Sequence, residues 1–251
     1  KRFSLKIITF CNRKKLLIKM RIALISDIHA NLESLTSVLN ELNKIGYDEL
    51  ICLGDIIGYG PDPEACLDLV FDKAKIILMG NHEQALLKPE LLNDFNTYAR
   101  ESLLWTSVNI SEKSTKLLSY LKIEHYFENI MFVHSNPLYP ENWDYISNYY
   151  DASKYFDEMK CNLCFIGHSH IEGIYKMNNK NELNKDNKSI INIGSVGQPR
   201  DRKTTASFGV FDVEKWLYTN YRVEYDVEKT YKKIIEKKLS SFLAERLLKG
   251  V

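Results

Sequence analysis

Short apolar runs of strand length recur along this chain, each ending in a small cluster of Gly, Asp, Asn, His or Ser. The runs cover residues 22–25, 50–53, 76–79, 130–133, 163–166 and 190–193. Being apolar at consecutive positions, they predict strands buried on both faces. Between the first two runs Leu32, Leu35, Val38, Leu39, Leu42 and Ile45 recur at helical spacing. Asn31 is placed to cap that helix and Gly46 to end it. A second helix over 63–71 leads into the run at 76, so the first half reads βαβαβ, an α/β sheet with right-handed crossovers. Residues 95–122 read as mainly helical, with Ser111 and Ser114 as possible starts and Trp105, Leu117, Leu118 and Leu121 facing a core. From 163 onward strands dominate, including 207–213 and 216–225. The polar Asn/Lys tract 178–188 reads as a solvated hairpin tip or mobile loop, and 226–249 as one or two amphipathic helices. No internal repeat is apparent.

The length of 251 residues suits one domain. Met20 opens the first strand pattern, so the domain is expected over 20–251, with 1–19 an amino-terminal extension. Lys plus Arg number 34 against 33 Asp plus Glu. With no net field of either sign, neither an extended nucleic acid nor an anionic membrane is an expected partner, and anion binding must be local. No apolar run approaches the roughly 20 residues of a membrane span. Five cysteines, an odd number, sit largely in or beside apolar runs. They read as buried thiols of a protein in a reducing, cytoplasmic compartment. Cys161 and Cys164 form a lone C-x-x-C, too few ligands for structural zinc.

The six histidines carry most of the chemical information, because five of them follow the apolar runs. Asp27 and His29 follow the first as Asp-x-His. On an extended segment these two would point to one side and could reach one metal. Asp55 follows the second run, Asn81 and His82 the third, His134 the fourth, and His168 and His170 the fifth. Only His125 stands apart. In an open α/β sheet ligands bind beyond the carboxyl ends of the strands, so these residues are expected to converge at one rim.

The segments Asp27-Ile28-His29, Gly54-Asp55, Gly80-Asn81-His82-Glu83, Val133-His134 and Gly167-His168-Ser169-His170 resemble, in order, the motifs of the calcineurin-like metallophosphoesterases. The wider stretches 26–31, 54–63 and 192–201 resemble the YfcE-like bacterial and archaeal branch. The resemblance runs from about Met20 to the carboxyl end. It implies a four-layer α/β/β/α sandwich with a dinuclear site at the sheet rim. It further implies that Asp27, His29 and His170 hold one divalent ion, that Asn81, His134 and His168 hold the other, and that Asp55 bridges them. Imidazoles and carboxylates without thiolate suit Mn, Fe, Zn, Co or Ni, with Mn preferred. The implied reaction is hydrolysis of a small phosphorylated substrate, a phosphodiester or nucleotide, by in-line attack of a metal-bridging hydroxide. His82 would stabilise the transferring oxygens or protonate the leaving oxygen.

The pattern departs from the protein phosphatases of the superfamily. These carry an Asp three and an Arg four positions after the bridging Asp, where this chain has Gly58 and Tyr59. Arg200, in Gln-Pro-Arg-Asp, is the nearest candidate for a phosphate contact. Dinucleoside polyphosphate hydrolysis and protein dephosphorylation are the alternative activities. The rival of another class is a catalytically silent scaffold of the same fold, against which stand His82 and the full ligand set.

Overall fold

The computed structural model describes residues 19–178 and 183–251. The expected extension lies almost wholly outside them, as does the middle of the polar tract. The elements in order are β1 (Arg21–Ile25), α1 (Leu32–Ile45), β2 (Glu49–Cys52), α2 (Pro63–Lys73), β3 (Ile76–Ile77), α3 (Asn81–Leu87), α4 (Thr97–Ser107), α5 (Glu112–Leu118), β4 (Glu124–Phe127) and β5 (Ile130–Val133). There follow α6 (Tyr149–Ser153), β6 (Leu163–Ile166), β7 (Gly173–Lys176), β8 (Ser189–Asn192), β9 (Ala206–Asp212), β10 (Leu217–Val223), α7 (Val227–Glu236) and α8 (Ser241–Glu245). Short 3-10 turns span Pro89–Asp94 and Pro140–Asn142.

The strands form two five-stranded sheets, in the orders β10-β9-β1-β2-β3 and β4-β5-β6-β8-β7. Each is parallel in part, through β1-β2-β3 and β5-β6-β8, and takes antiparallel strands at its margins. Side-chain alternation along the central strands separates the layers. Ile22 and Leu24 join Phe132, Phe165 and Phe211 in an apolar core between the sheets. Ala23 and Ile25 face outward, where they pack with Leu35, Val38 and Leu42 of α1. On the far side Met131, Val133, Cys164 and Ile166 meet Ala152, Tyr155 and Phe156. Three stacked cores between four layers make the α/β/β/α sandwich that the resemblance implied.

The opening βαβαβ unit is as expected, and α1 begins at the Asn31 cap, whose side chain accepts from Ser34 N–H at 3.2 Å. Ser111 likewise caps α5, whereas Ser114 lies inside that helix and Trp105 is only half buried. The sheet margins differ from the pattern of apolar runs. The third run shortens to Ile76–Ile77, half-buried on both residues, because β3 is the last strand of its sheet. β4 and β7 have no apolar run to announce them, since each is an edge strand with mixed exposure. β7 pairs antiparallel with β8, so the polar tract joins the two as a hairpin connection. Cys164 is fully buried and Cys161 nearly so, both free thiols in the outer core. Among the described residues no helix is long and apolar enough to cross a membrane.

Candidate metal centre

Every polar residue singled out at a strand end reaches the same rim. Asp27 and His29 follow β1, Asp55 follows β2, His134 follows β5, and His168 and His170 follow β6. Asn81 and His82 open α3. The backbone that delivers them is not extended. Asp27, His29, Asp55, His168 and His170 have φ of 53°, 48°, 53°, 66° and 60°, all in the left-handed region. This corrects the expectation that strand alternation puts Asp27 and His29 on one side; tight left-handed turns do so instead. Such a conformation costs a non-glycine residue on the order of 1–3 kcal/mol and persists where the surroundings over-determine it. Here the turn after β1 is locked to the turn after β2. Asp27, His29 and Ala30 N–H donate to the carbonyls of Gly54, Asp55 and Ile56 at 3.0, 3.0 and 2.7 Å.

The imidazoles are oriented from behind. Nδ1–H of His29, His134 and His170 donates to the carbonyls of Ile57, Leu53 and Gln198 at 3.0, 3.1 and 2.6 Å. A carbonyl only accepts, so each Nδ1 carries a proton and each Nε2 faces inward, as the atom that would meet an ion. His168 is turned the other way: its Nε2–H donates to the Trp143 carbonyl at 2.8 Å, which leaves Nδ1 as its available donor atom. The inward atoms crowd one another. His29 Nε2 and His170 Nε2 are 3.1 Å apart. Asp27 Oδ1 lies 3.3 Å from His170 Nε2, and Asp55 Oδ2 lies 3.3 Å from His134 Nε2. Asn81 Oδ1 and His134 Nε2 are buried with no hydrogen-bond partner. A buried set composed of acceptors is unfavourable alone and is what a cation relieves. Two three-residue groups, Asp27-His29-His170 and Asp55-His134-His168, each bring their donor atoms within 4.8 Å of one another. These residues fit metal ions.

The electrostatics point the same way. Burial pushes His82 down to about 4 and His168 to about 3, and holds His29 and His170 well below the ordinary range, so these rings are neutral. Burial also raises Asp27, to about 6, with the neighbouring Asp55 charge adding to it. For His134 burial is outweighed by the Asp55 carboxylate, which lifts it to about 9. A divalent ion between them would replace that proton.

His82 shares the rim without the same support. Its Nε2 is 3.9 Å from Asp55 Oδ2, and with His29 and Asp55 it makes a third group of donor atoms within 4.8 Å. Its Nδ1 is buried and unpartnered. A Cβ on Gly58, whose φ is +83°, would stand 2.2 Å from that Nδ1, so a side chain there would displace the ring. The rings of Tyr59 and Phe95 flank it at 4.8 and 5.2 Å. Arg200 lines the same cavity of about 450 Å³, with Nη2 donating to Gln198 Oε1 at 2.9 Å and its guanidinium 5.9 Å from the Tyr59 ring.

Glu83 is the residue whose role the sequence did not disclose. Fully buried, it accepts from Gly80, Asp55, Ile56 and Ile57 N–H at 2.8 to 3.2 Å, and so fixes the loop that carries Asp55. Only its place three residues beyond Gly80, where a capping carboxylate turns back on a helix start, could have signalled this.

The chain matches the family model described as calcineurin-like phosphoesterase over residues 20–172. An uncharacterized protein of Methanocaldococcus jannaschii is 40% identical over 247 residues, covering 93% of this chain and all of that protein. A crystal structure of a metallophosphoesterase from Sphaerobacter thermophilus superposes with a TM-score of 0.82 at 33% identity, covering 93% of this chain and all of the other. A hypothetical protein of Pyrococcus horikoshii shares the fold, with a TM-score of 0.76 at 18% identity over 92% of this chain and 98% of its own. With that agreement and a buried His/Asp centre at the rim where the motifs place it, this chain belongs to the calcineurin-like phosphoesterases.

Proposed function

We propose that the chain is a two-metal phosphoesterase acting on a small phosphate ester. The observation that carries this is the convergence of lone pairs, with His29 Nε2 and His170 Nε2 at 3.1 Å and both Asp carboxylates beside them, where Asp55 and His170 line an open cavity. Asp27, His29 and His170 would hold one ion, Asn81, His134 and His168 the other, and Asp55 would stand between them. Asp55 Oδ2 lies 3.3, 3.7 and 3.9 Å from the Nε2 atoms of His134, His29 and His82, a central position that supports a bridging role. When bound, two divalent ions supply the positive charge that draws the phosphate in and the acidification of water that makes a nucleophile at neutral pH.

The protein's own part is positional. His82, at the cavity wall, would donate to the leaving oxygen or stabilise charge on the phosphoryl group. Arg200, at the Tyr59 end, would hold a further phosphate oxygen. The ligand chemistry favours Mn, Fe, Zn, Co or Ni. The test is metal analysis together with a panel of phosphomonoesters, phosphodiesters and dinucleoside polyphosphates. In Asp55→Asn both metal content and most of the turnover are expected to fall. A variant that kept full metal and full rate would remove Asp55 from the centre.

A further inference from the structure

The cavity has a floor and a mouth, and the mouth is built from residues that present no ligand to the centre. Two loops bracket it. One is the turn Pro89–Asp94 continuing into Phe95 and Asn96, and the other is the turn Pro140–Asn142 continuing into Trp143 and Tyr145. Both bring rings to the edge of the centre. Phe95 meets His82 edge-on at 5.2 Å. Tyr145 stacks on His168 at 4.1 Å and 18°, yet remains 56% exposed. Trp143 is fixed by donation from its Nε1–H to Gln84 Oε1 at 3.0 Å. Each loop also brings one carboxylate to the lining, Asp94 and Glu141, both exposed. Neither has an ion-pair partner among the described residues. The remaining charged side chains of the lining are Asp55, in the centre itself, and Arg200, at the Tyr59 end.

From this arrangement we infer that the mouth selects phosphate esters whose alcohol part carries a planar ring and no negative charge, with a cationic ring preferred, and rejects polyphosphates. The inference rests on the phosphoester hydrolysis proposed above. One phosphate is drawn to the floor, and the alcohol then lies between the two loops. There an aromatic group extends the stack begun by Tyr145 on His168, and a cation gains from the ring faces as well as from the two carboxylates. A second phosphate would sit against Asp94 and Glu141. Two exposed carboxylates acting through nearly aqueous dielectric separate a cation from an anion at that place by on the order of tenfold in affinity.

The test uses the full chain loaded with Mn and three benzylphosphonates bearing para trimethylammonio, methyl or carboxylate groups, titrated by calorimetry. Dissociation constants are expected to rise in that order, by on the order of tenfold from first to last. The spread should shrink toward equality in the double variant Asp94→Asn/Glu141→Gln and at high salt. Equal or tighter binding of the carboxylate, an unchanged spread in the double variant, or no binding of any of the three would overturn the inference. Turnover of the matching benzyl phosphates, whose methylene insulates the ester from the substituent, runs alongside. Ordered binding without turnover sinks hydrolysis and keeps the selective mouth, and turnover without charge order sinks the mouth alone.

Discussion

His82 owes its place to what surrounds it and to what Gly58 lacks. In the protein phosphatases that the sequence departs from, a carboxylate and an arginine stand at the positions of Gly58 and Tyr59; here ring edges hold the imidazole and its Nδ1 is unpartnered. In the ligand set proposed above, Asp27, His29, Asn81, His134, His168 and His170 would supply the two sites with Asp55 between them, so His82 is expected to act on the substrate and not on the ions. His82→Ala should therefore retain both metals by elemental analysis while kcat falls by on the order of 10²–10⁴. A smaller loss on an aryl ester than on an alkyl ester marks it as the acid, and an equal loss marks oxyanion stabilisation. Departure of an ion would place His82 among the ligands instead.

At the scale of the element, the inter-sheet core is where single side chains matter most. Phe165 of β6 is fully buried, stacked on Phe132 at 5.5 Å within its own sheet and against Phe211 of the facing sheet at 5.3 Å. Phe165→Ala is expected to destabilise by about 3–5 kcal/mol, measured as a shift in denaturant midpoint at constant slope. Such strands were legible because burial on both faces leaves consecutive apolar residues, as in β1, β5 and β6. The margins were not legible. β4 and β7 alternate or mix exposure in four residues, too short for periodicity to separate from loop. The candidate site was legible for a different reason: its residues are polar types out of place at the ends of apolar runs. What the sequence concealed was the left-handed backbone that aims them, because that conformation is held by bonds between turns far apart in the chain, from the turn after β1 to the turn after β2 and to His168, and not by the local residue type.

For the molecule as a whole, helix α7, which follows the last strand, is buckled to the amino end of α1 and so to the loops beneath the centre. Thr230 Oγ1–H is shared between Asn31 Oδ1 and Glu33 Oε2, at 3.0 and 3.2 Å. Lys233 bridges Glu33 and Asp62 at 2.7 and 2.8 Å. Asn31 in turn donates to the Gly197 carbonyl at 2.8 Å, on the segment that holds His170 through Gln198. Burial would raise the Glu33 carboxyl, but hydrogen bonds from Lys233 and Lys229 outweigh it and hold the group below its ordinary 4.5. A carboxyl depressed in the folded state contributes stability that is present above the unfolded value and lost as pH falls through the folded one. Glu33→Gln should thus be less stable than the parent at pH 6 to 7, and the gap should narrow below about pH 4.5, read from denaturant midpoints at each pH. A gap constant with pH would assign the loss to packing alone.

The two sheets meet through paraffin-like side chains, and an interface of that kind resists separation far better than it resists sliding. Its register is set at one end. There Asp27 accepts from His168 N–H at 3.0 Å, His134 donates to Leu53 carbonyl at 3.1 Å, and Asn81, Asp27 and Asp55 from one sheet confront His134, His168 and His170 from the other. Ions shared across that line would act as a clasp on a folding book, closing the covers at the fore-edge while the spine stays free to breathe. Deuterium uptake should then slow on metal loading most strongly in the loops of the rim, and least in the strand ends opposite, where the clasp has no purchase.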